Sequence, residues 1–388
     1  MADNINALEL SRSLIKCLSV TPDDGGAQII LRNVLTDLGF ECTIKTFSDK
    51  NTPDINNLYA RIGNTAPNFC FAGHTDVVPV GDEGGWTKDP FGAEIIDGIL
   101  YGRGASDMKA AIACFVEAAS RFLRANGPDF GGSISLLITG DEEGPAINGT
   151  RKLLEWAKSE GHVFDACIVG EPTNPTDLGE MIKIGRRGSL NGKLTVRGIQ
   201  GHTAYPHLAK NPIHTLVEML GALTNLHIDD GSRHFQASTL QISSVDVGNT
   251  ATNVIPSKAT SFFNIRYNDL HSSTTLDQKI RETLNSIDKN YDLDISVTGE
   301  SFLTPPGSLS NIVLKAVETV TGKTPELSTT GGTSDARFIK DYCPVAEFGL
   351  TGQTMHKADE CVAVKDLDSL TKIYTVVLEQ FFKKHAKL

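Results

Sequence analysis

The stretch Ser133–Gly161, "SISLLITGDEEGPAINGTRKLLEWAKSEG", joins a short apolar strand to an amphipathic helix through three adjacent carboxylates, Asp141, Glu142 and Glu143. The strand "SISLLIT" and the helix "NGTRKLLEWAKSEG" together form one βα unit of an α/β sheet. The acids between them raise a physical question. Adjacent carboxylates repel, and a buried one is costly unless something positive pairs with it. A solvated turn is the plain explanation of an acidic run, because charged residues are mostly exposed. The remainder of the chain decides between that reading and a site.

Outward from this stretch the same alternation continues. "GGAQIILRNVLTDLG" predicts a helix closed by Gly39. "NFCFAGHTD" predicts a buried strand ending in polar residues. "DMKAAIACFVEAASRFLRANG" predicts a long helix stopped by Gly127 and Pro128, and "DACIVGEP" another strand. Near Arg187 the pattern changes. "GSLNGKLTVRG", "NPIHTLVEMLGALTNL", "QASTLQISSVDVG", "KATSFFNIRYN", "STTLDQKIRETLNSID" and "DLDISVTG" read as βαββαβ, the ferredoxin-like order. After it come a helix at "NIVLKAVETVTG", the segment "TSDARFIKD", a strand at "CPVAEFG" and a final helix after Lys365. The expected fold class is therefore α/β, a mixed sheet with helices on both faces, interrupted by an inserted ferredoxin-like βαββαβ domain. The expected boundaries are 1–187 and 301–388 for the main domain and 188–300 for the insert.

Size and composition set further limits. A chain of 388 residues exceeds one typical core, so two domains are the default. The net charge of −11, from 47 acidic and 36 basic residues, argues against nucleic acid or an anionic membrane as a partner. It leaves room for a small acidic substrate captured by local arginines. No apolar run approaches the ~18 residues of a membrane helix, and "MADNINALELSRSLIKCLSV" lacks the pattern of a signal peptide. The seven widely spaced cysteines, with no Cys-x-x-Cys, read as reduced, buried thiols of a cytosolic protein.

In open α/β sheets ligands collect beyond the carboxyl ends of the strands. The polar residues expected there are His74, Thr75 and Asp76, the triplet Asp141–Glu143, and Glu171. Asp107 precedes a helix in "GRGASDMK", and His356 stands in the Gly- and Thr-rich "LTGQTMHKADE". Each alone is weak, since a lone histidine is more often structural. Together they offer imidazoles and carboxylates, which suit zinc. Five such ligands serve two ions if one carboxylate bridges, and ions ~3.5–4 Å apart form the usual paired site for hydrolysis. In extended chain, neighbouring side chains point in opposite directions. On that basis one of two adjacent glutamates binds an ion while its neighbour stands over the bridging water as general base. Asp141 is then structural or solvent-facing. Asp76, two residues from His74, is placed to hold the other imidazole nitrogen.

"GHTDVVP", "GRGASDMK", "GDEEG", "GEPT" and the late histidine loop resemble the co-catalytic zinc amidohydrolases and exopeptidases, a group that includes acetylornithine deacetylase, aminoacylase and glutamate carboxypeptidase. The resemblance runs over nearly the whole chain. It implies a catalytic di-zinc domain carrying an inserted dimerisation and lid domain. His74 and Glu171 would bind one zinc, Glu143 and His356 the other, and Asp107 would bridge them, with cobalt accepted in one site. Glu142 would be the general base and acid, with Asp76 beside it in the catalytic set. His202 in "QGHTAYPHLAKNP" would stabilise the oxyanion at the site of the partner subunit, which implies a homodimer. Arg186 in "GRRGSLNG", Arg266 in "FNIRYN", Asn253, and Thr333 in "GGTSDARFI" would bind substrate, as arginine forks suit carboxylates. Of these, "GRRGSLNG" and "GGTSDARFI" resemble most the branch that removes succinate from N-succinyl-LL-2,6-diaminopimelate, and the cysteine usage points to the cytoplasm. Deacylation of acetylornithine or another acylamino acid, or dipeptide cleavage, is the alternative. A catalytically dead binding protein would lack a ligand or the base, and none is missing. A nucleotide-binding protein would need a phosphate-binding glycine loop after the first strand.

Overall fold

A computed structural model describes residues 5–385. The reading of residues 1–20 as free of a signal peptide begins in residues 1–4, which lie outside the described residues. The chain forms two compact units. One comprises residues 1–184, 304–328 and 334–388, and the other residues 185–303 with 329–333.

The first unit is built on an eight-stranded mixed sheet. Its order is Glu41–Phe47, Ile55–Ile62, Ser133–Thr139, Asn68–His74, Ala166–Val169, Val345–Glu347, Met181–Lys183 and Glu326–Ser328. The four strands from Ser133–Thr139 to Val345–Glu347 are parallel neighbours, and antiparallel pairings flank them on both sides. Every residue of Asn68–His74 and Ser133–Thr139 is buried, as in a sheet covered on both faces. Helix Ala110–Asn126 packs against the long helix Val364–His385 and against Ala7–Ile15. The Phe115 ring stacks on Phe71 of the central strand at 4.3 Å, a gain beyond burial alone. Helix Ala27–Asp37 packs against strands Glu41–Phe47 and Ile55–Ile62, and helix Thr150–Ser159 against Ser133–Thr139 and Ile55–Ile62.

The "DMK" helix begins later than its sequence suggests. Asp107 and Met108 have non-helical backbone within the irregular turn Ala105–Lys109, and regular helix starts at Ala110. The sequence reading also passed over the hairpin Glu41–Phe47/Ile55–Ile62 and a small three-stranded sheet of Ile95–Ile96, Ile99–Tyr101 and Cys361–Ala363.

The second unit is a four-stranded antiparallel sheet with two helices. Strand Gly188–Arg197 leads to helix Pro212–Thr224, then strands Thr239–Asp246 and Lys258–Tyr267, helix Ser273–Asn285 and strand Tyr291–Gly299. The first strand lies between the third and the fourth, and the second pairs with the third, which is the ferredoxin-like arrangement. Leu190, Leu194 and Val196 from the first strand bury against Leu216, Met219 and Leu223 and against Leu276, Ile280 and Leu284 of the two helices. Both helices start on side-chain caps, Asn211 accepting from the Ile213 N–H and Ser272 from the Thr275 N–H. Among the described residues no helix is long and apolar enough to cross a membrane.

Candidate metal centre

Strand Asn68–His74 ends in His74, Ser133–Thr139 runs into Asp141–Glu143, and Ala166–Val169 runs into Glu171. Because these strands are parallel neighbours, their carboxyl ends share one edge. Asp107 joins them from the irregular turn. Met108 explains how that turn fits: its side chain is wholly buried, and a Cβ on Gly73 or Gly170 would lie 2.5 or 2.7 Å from its Cε. The residues before His74 and before Glu171 are glycines, which leaves room for the side chain that follows Asp107.

The resulting geometry centres on Asp107. Its Oδ1 lies 3.2 Å from His74 Nε2 and its Oδ2 lies 3.2 Å from His356 Nε2. Glu171 Oε1 is 3.9 Å from His74 Nε2, and Glu143 Oε1 is 2.8 Å from His356 Nε2. Two groups follow, His74–Asp107–Glu171 and Asp107–Glu143–His356. In each, one possible ligand atom per residue lies within 4.8 Å of the others, and Asp107 belongs to both. The first group is buried, whereas the His356 side chain is 45% exposed, so the cluster opens on that side.

His74 Nδ1 lies 2.9 Å from the backbone carbonyl of Asp76 and 3.6 Å from its carboxylate. The Asp76 backbone, rather than the side chain expected from the i, i+2 spacing, therefore takes this hydrogen bond. A carbonyl only accepts, so Nδ1 carries a proton, and Nε2 is the ring nitrogen that faces the cluster and would meet an ion there. The Asp76 carboxylate serves the acidic run instead. It accepts the backbone N–H of Glu142 at 3.3 Å and of Glu143 at 3.0 Å, and the Thr21 hydroxyl at 2.8 Å.

The strand-like divergence expected of Glu142 and Glu143 is corrected by this local structure. The chain after Thr139 is a turn, so the two-residue alternation does not apply. Glu142, Glu143 and His74 form a third group within 4.8 Å. Asp141 is buried and not solvent-facing: its carboxylate accepts the N–H groups of Ile147 and Asn148, both at 2.9 Å.

The electrostatics fit a cation. Within the two groups that share Asp107 only the imidazoles balance three carboxylates. Burial, then the charge of Glu171, pushes the Glu142 carboxyl well above its usual range. Burial raises Asp76 to about 6 against the pull of His74 and Thr21. Burial opposes ionisation of Asp107, but its hydrogen bonds to His356 and His74 hold it well below the ordinary value. The Asp107 and Glu143 hydrogen bonds raise His356 to about 10. Desolvated acids drawing protons onto nearby imidazoles form the donor set that divalent ions replace those protons in.

The other residues singled out by sequence lie in the second unit. His202 is exposed on a short strand paired with Val254–Ile255, and its Nδ1 accepts the Ala204 N–H at 3.0 Å. A neutral ring then carries its proton on Nε2. Arg186 is buried and donates to the Gly332 carbonyl at 3.2 Å, beside Thr333. Arg266 on Lys258–Tyr267 donates to Asn264 Oδ1 at 3.1 Å. Burial and the neighbouring Arg187 charge both lower its pKa, so two cations face one region. Asn253 is exposed and its carbonyl accepts the Thr203 N–H at 3.1 Å.

Sequence reading missed three supports of the first unit. Thr21 holds Asp76. Thr150 donates to the buried Asp335 at 2.6 Å, and Asp335 bears on the charge of Glu142. Arg103 pairs with Glu360 at 2.7 Å. None has a local signal, because each pair is far apart in the chain. Only "DE" at 359–360, two acids directly after the histidine loop, was there to notice.

A mixed α/β sheet whose strand ends present two histidine–carboxylate groups sharing one aspartate defines the class of metal-dependent hydrolases with a paired site. The model for Peptidase family M20/M25/M40 matches residues 70–380, and the chain belongs to this family. It is 60% identical over 375 residues to a succinyl-diaminopimelate desuccinylase of Rhodospirillum centenum, covering 97% of each chain. Its fold is similar to an M20 family metallo-carboxypeptidase of Sulfolobus solfataricus, with a TM-score of 0.79 at 18% identity over 97% of this chain and 99% of that one. It also resembles a dinuclear metal-binding M20 peptidase of Bacillus subtilis, with a TM-score of 0.70 at 15% identity over 97% and 98% of the two chains.

Proposed function

We propose that this chain hydrolyses N-succinyl-LL-2,6-diaminopimelate to succinate and LL-2,6-diaminopimelate, a step of diaminopimelate and lysine biosynthesis. The observation that carries the reaction class is Asp107, which turns one carboxylate oxygen toward each of two histidines. The substrate follows the desuccinylase to which the chain is 60% identical over nearly its full length.

His74 and Glu171 would hold one zinc, Glu143 and His356 the other, and Asp107, which belongs to both groups, would serve both; cobalt would be accepted in one position. Bound there, the ions supply polarisation of the amide carbonyl and a water acidic enough to attack it. Glu142 takes the attacking water's proton on its carboxylate and passes it to the leaving nitrogen. Its burial, which raises the carboxyl's affinity for protons, suits a group that must hold and then release one. Asp76 fixes Glu142 and Glu143 through their N–H groups, and its carbonyl fixes the His74 tautomer. His202, with its proton on Nε2, donates to the oxygen on which negative charge develops. Arg186 and Arg266 hold the substrate carboxylates, with Asn253 and Thr333 adding hydrogen bonds. The second unit is a dimerisation and lid domain. In the homodimer, His202 of one subunit serves the metal site of the other. The enzyme works in the cytoplasm on a small molecule, without nucleic acid or membrane.

Hydrolysis of N-succinyl-LL-diaminopimelate and N-acetylornithine, measured on chelator-stripped protein and after adding back zinc, tests this reading. Zinc-restored cleavage of the succinyl compound alone is the expected result. Cleavage of the acetyl compound instead would keep the chemistry and overturn the substrate.

A further inference from the structure

One carboxylate outside the ligand groups touches the backbone of the bridging residue. Glu360 is fully buried, and its Oε1 accepts the N–H of Ser106 at 2.9 Å and of Asp107 at 3.1 Å. Its Oε2 accepts from Arg103 Nη1 at 2.7 Å. Arg103 is also buried. The same nitrogen reaches the Lys357 carbonyl at 3.3 Å, Nη2 reaches the Pro79 carbonyl at 3.4 Å, and the guanidinium lies 5.1 Å from the Trp86 ring centre. Two more bonds stitch the segments together: the Gly102 N–H donates to the Glu360 carbonyl at 2.8 Å, and the Ser106 hydroxyl to the Thr351 carbonyl at 2.6 Å. Glu360 thus ties the turn that carries Asp107 to the loop that carries His356, four residues before it in the chain.

A buried ion pair is a poor source of net stability, because desolvation offsets most of its attraction. Its directional hydrogen bonds, in contrast, fix backbone position. Here they fix two of the three members of the Asp107–Glu143–His356 group, but only the shared member of the His74–Asp107–Glu171 group.

We propose that Glu360, oriented by Arg103, is a positioning residue that sets the Asp107–His356 side of the centre and so controls the affinity of one of its two metal positions. The proposal rests on the paired-metal reading above. The two are separable by stepwise zinc titration of the metal-stripped full chain, followed by calorimetry, for the unaltered protein, Glu360→Gln, Arg103→Lys and His356→Ala. The unaltered protein is expected to bind two equivalents. Glu360→Gln should weaken one equivalent by about 10–100-fold, the range for groups that orient ligands, and leave the other nearly unchanged. The weakened equivalent should be the one lost in His356→Ala. Arg103→Lys, which keeps the charge without the fork, should shift the same equivalent in the same direction. With cobalt as the probe, the absorption of that equivalent alone should change. Equal weakening of both equivalents would overturn the proposal in favour of a general structural role, and two unchanged equivalents in both variants would overturn it alone. A single equivalent in the unaltered protein would overturn the paired-metal reading together with it. Should Glu360→Gln fail to fold, the Arg103→Lys titration decides by the same criteria.

Discussion

Glu142 and Glu143 are adjacent in the chain, yet they are assigned to different tasks, and the Asp76 carboxylate that accepts both of their N–H groups makes this possible by fixing the turn. Replacing Glu142 with Gln keeps the shape and removes the carboxylate proposed as proton acceptor. Turnover should fall by at least about 10²–10⁴-fold, with bound metal unchanged when zinc is counted by mass spectrometry. Loss of metal from that variant would move Glu142 from base to ligand, a role its place beside His74 and Glu143 makes worth testing. His202→Ala removes the imidazole proposed to donate only as charge develops. It should lower kcat by about 10²–10³-fold and leave KM nearly unaltered. A matching rise in KM would instead mark His202 as a ground-state binding group.

At the scale of elements, the strand ends and the turn of Asp107 fit together through Met108, which occupies the space left by Gly73 and Gly170. Gly73→Ala should displace that side chain at a cost of about 1–3 kcal/mol. Because Asp107 precedes Met108, zinc affinity should fall along with the unfolding temperature; loss of stability with unchanged affinity would show that the turn absorbs the strain elsewhere. In the second unit, Asp229 ties the segment after helix Pro212–Thr224 to the end of strand Lys258–Tyr267. It accepts the N–H groups of Gly231 at 2.7 Å and Ser238 at 3.2 Å and the Asn268 side chain, and its carboxylate lies 3.2 Å from His271. Burial opposes its ionisation, but these hydrogen bonds, Ser238 foremost, hold its pKa below the ordinary value. A depressed folded pKa contributes stability that is present above about pH 4 and lost as pH falls through the folded value. Asp229→Asn should therefore destabilise by about 1–3 kcal/mol near neutrality, and its difference from the unaltered protein should shrink in denaturation curves taken below about pH 4. A difference independent of pH would mean that hydrogen-bond geometry, not the charge, is what matters there.

At the scale of the whole molecule, the metal groups lie entirely in the first unit. Chelation should therefore lower its stability, and zinc at 100 times its Kd should restore about 2.7 kcal/mol. Hydrogen exchange should speed up around residues 74–76, 105–109, 141–143 and 352–360 and stay unchanged in the core of the second unit. Uniform acceleration would indicate that the metals stabilise both units. The sequence by itself determined the two kinds of periodicity, the βαββαβ order of the insert, and the ends of the strands at which His74, Glu143 and Glu171 stand. These are local properties, set by which residues bury and where polar residues end a strand. Tertiary structure alone decided the rest. Whether a carboxylate meets an imidazole, a backbone N–H or solvent depends on segments far apart in the chain: Asp107 meets His356, Thr21 meets Asp76, and Arg103 meets Glu360. The extended-chain rule failed at Glu142 and Glu143 for the same reason. Their turn is held by Asp76 from a neighbouring strand end, a contact that no spacing within "GDEEG" encodes.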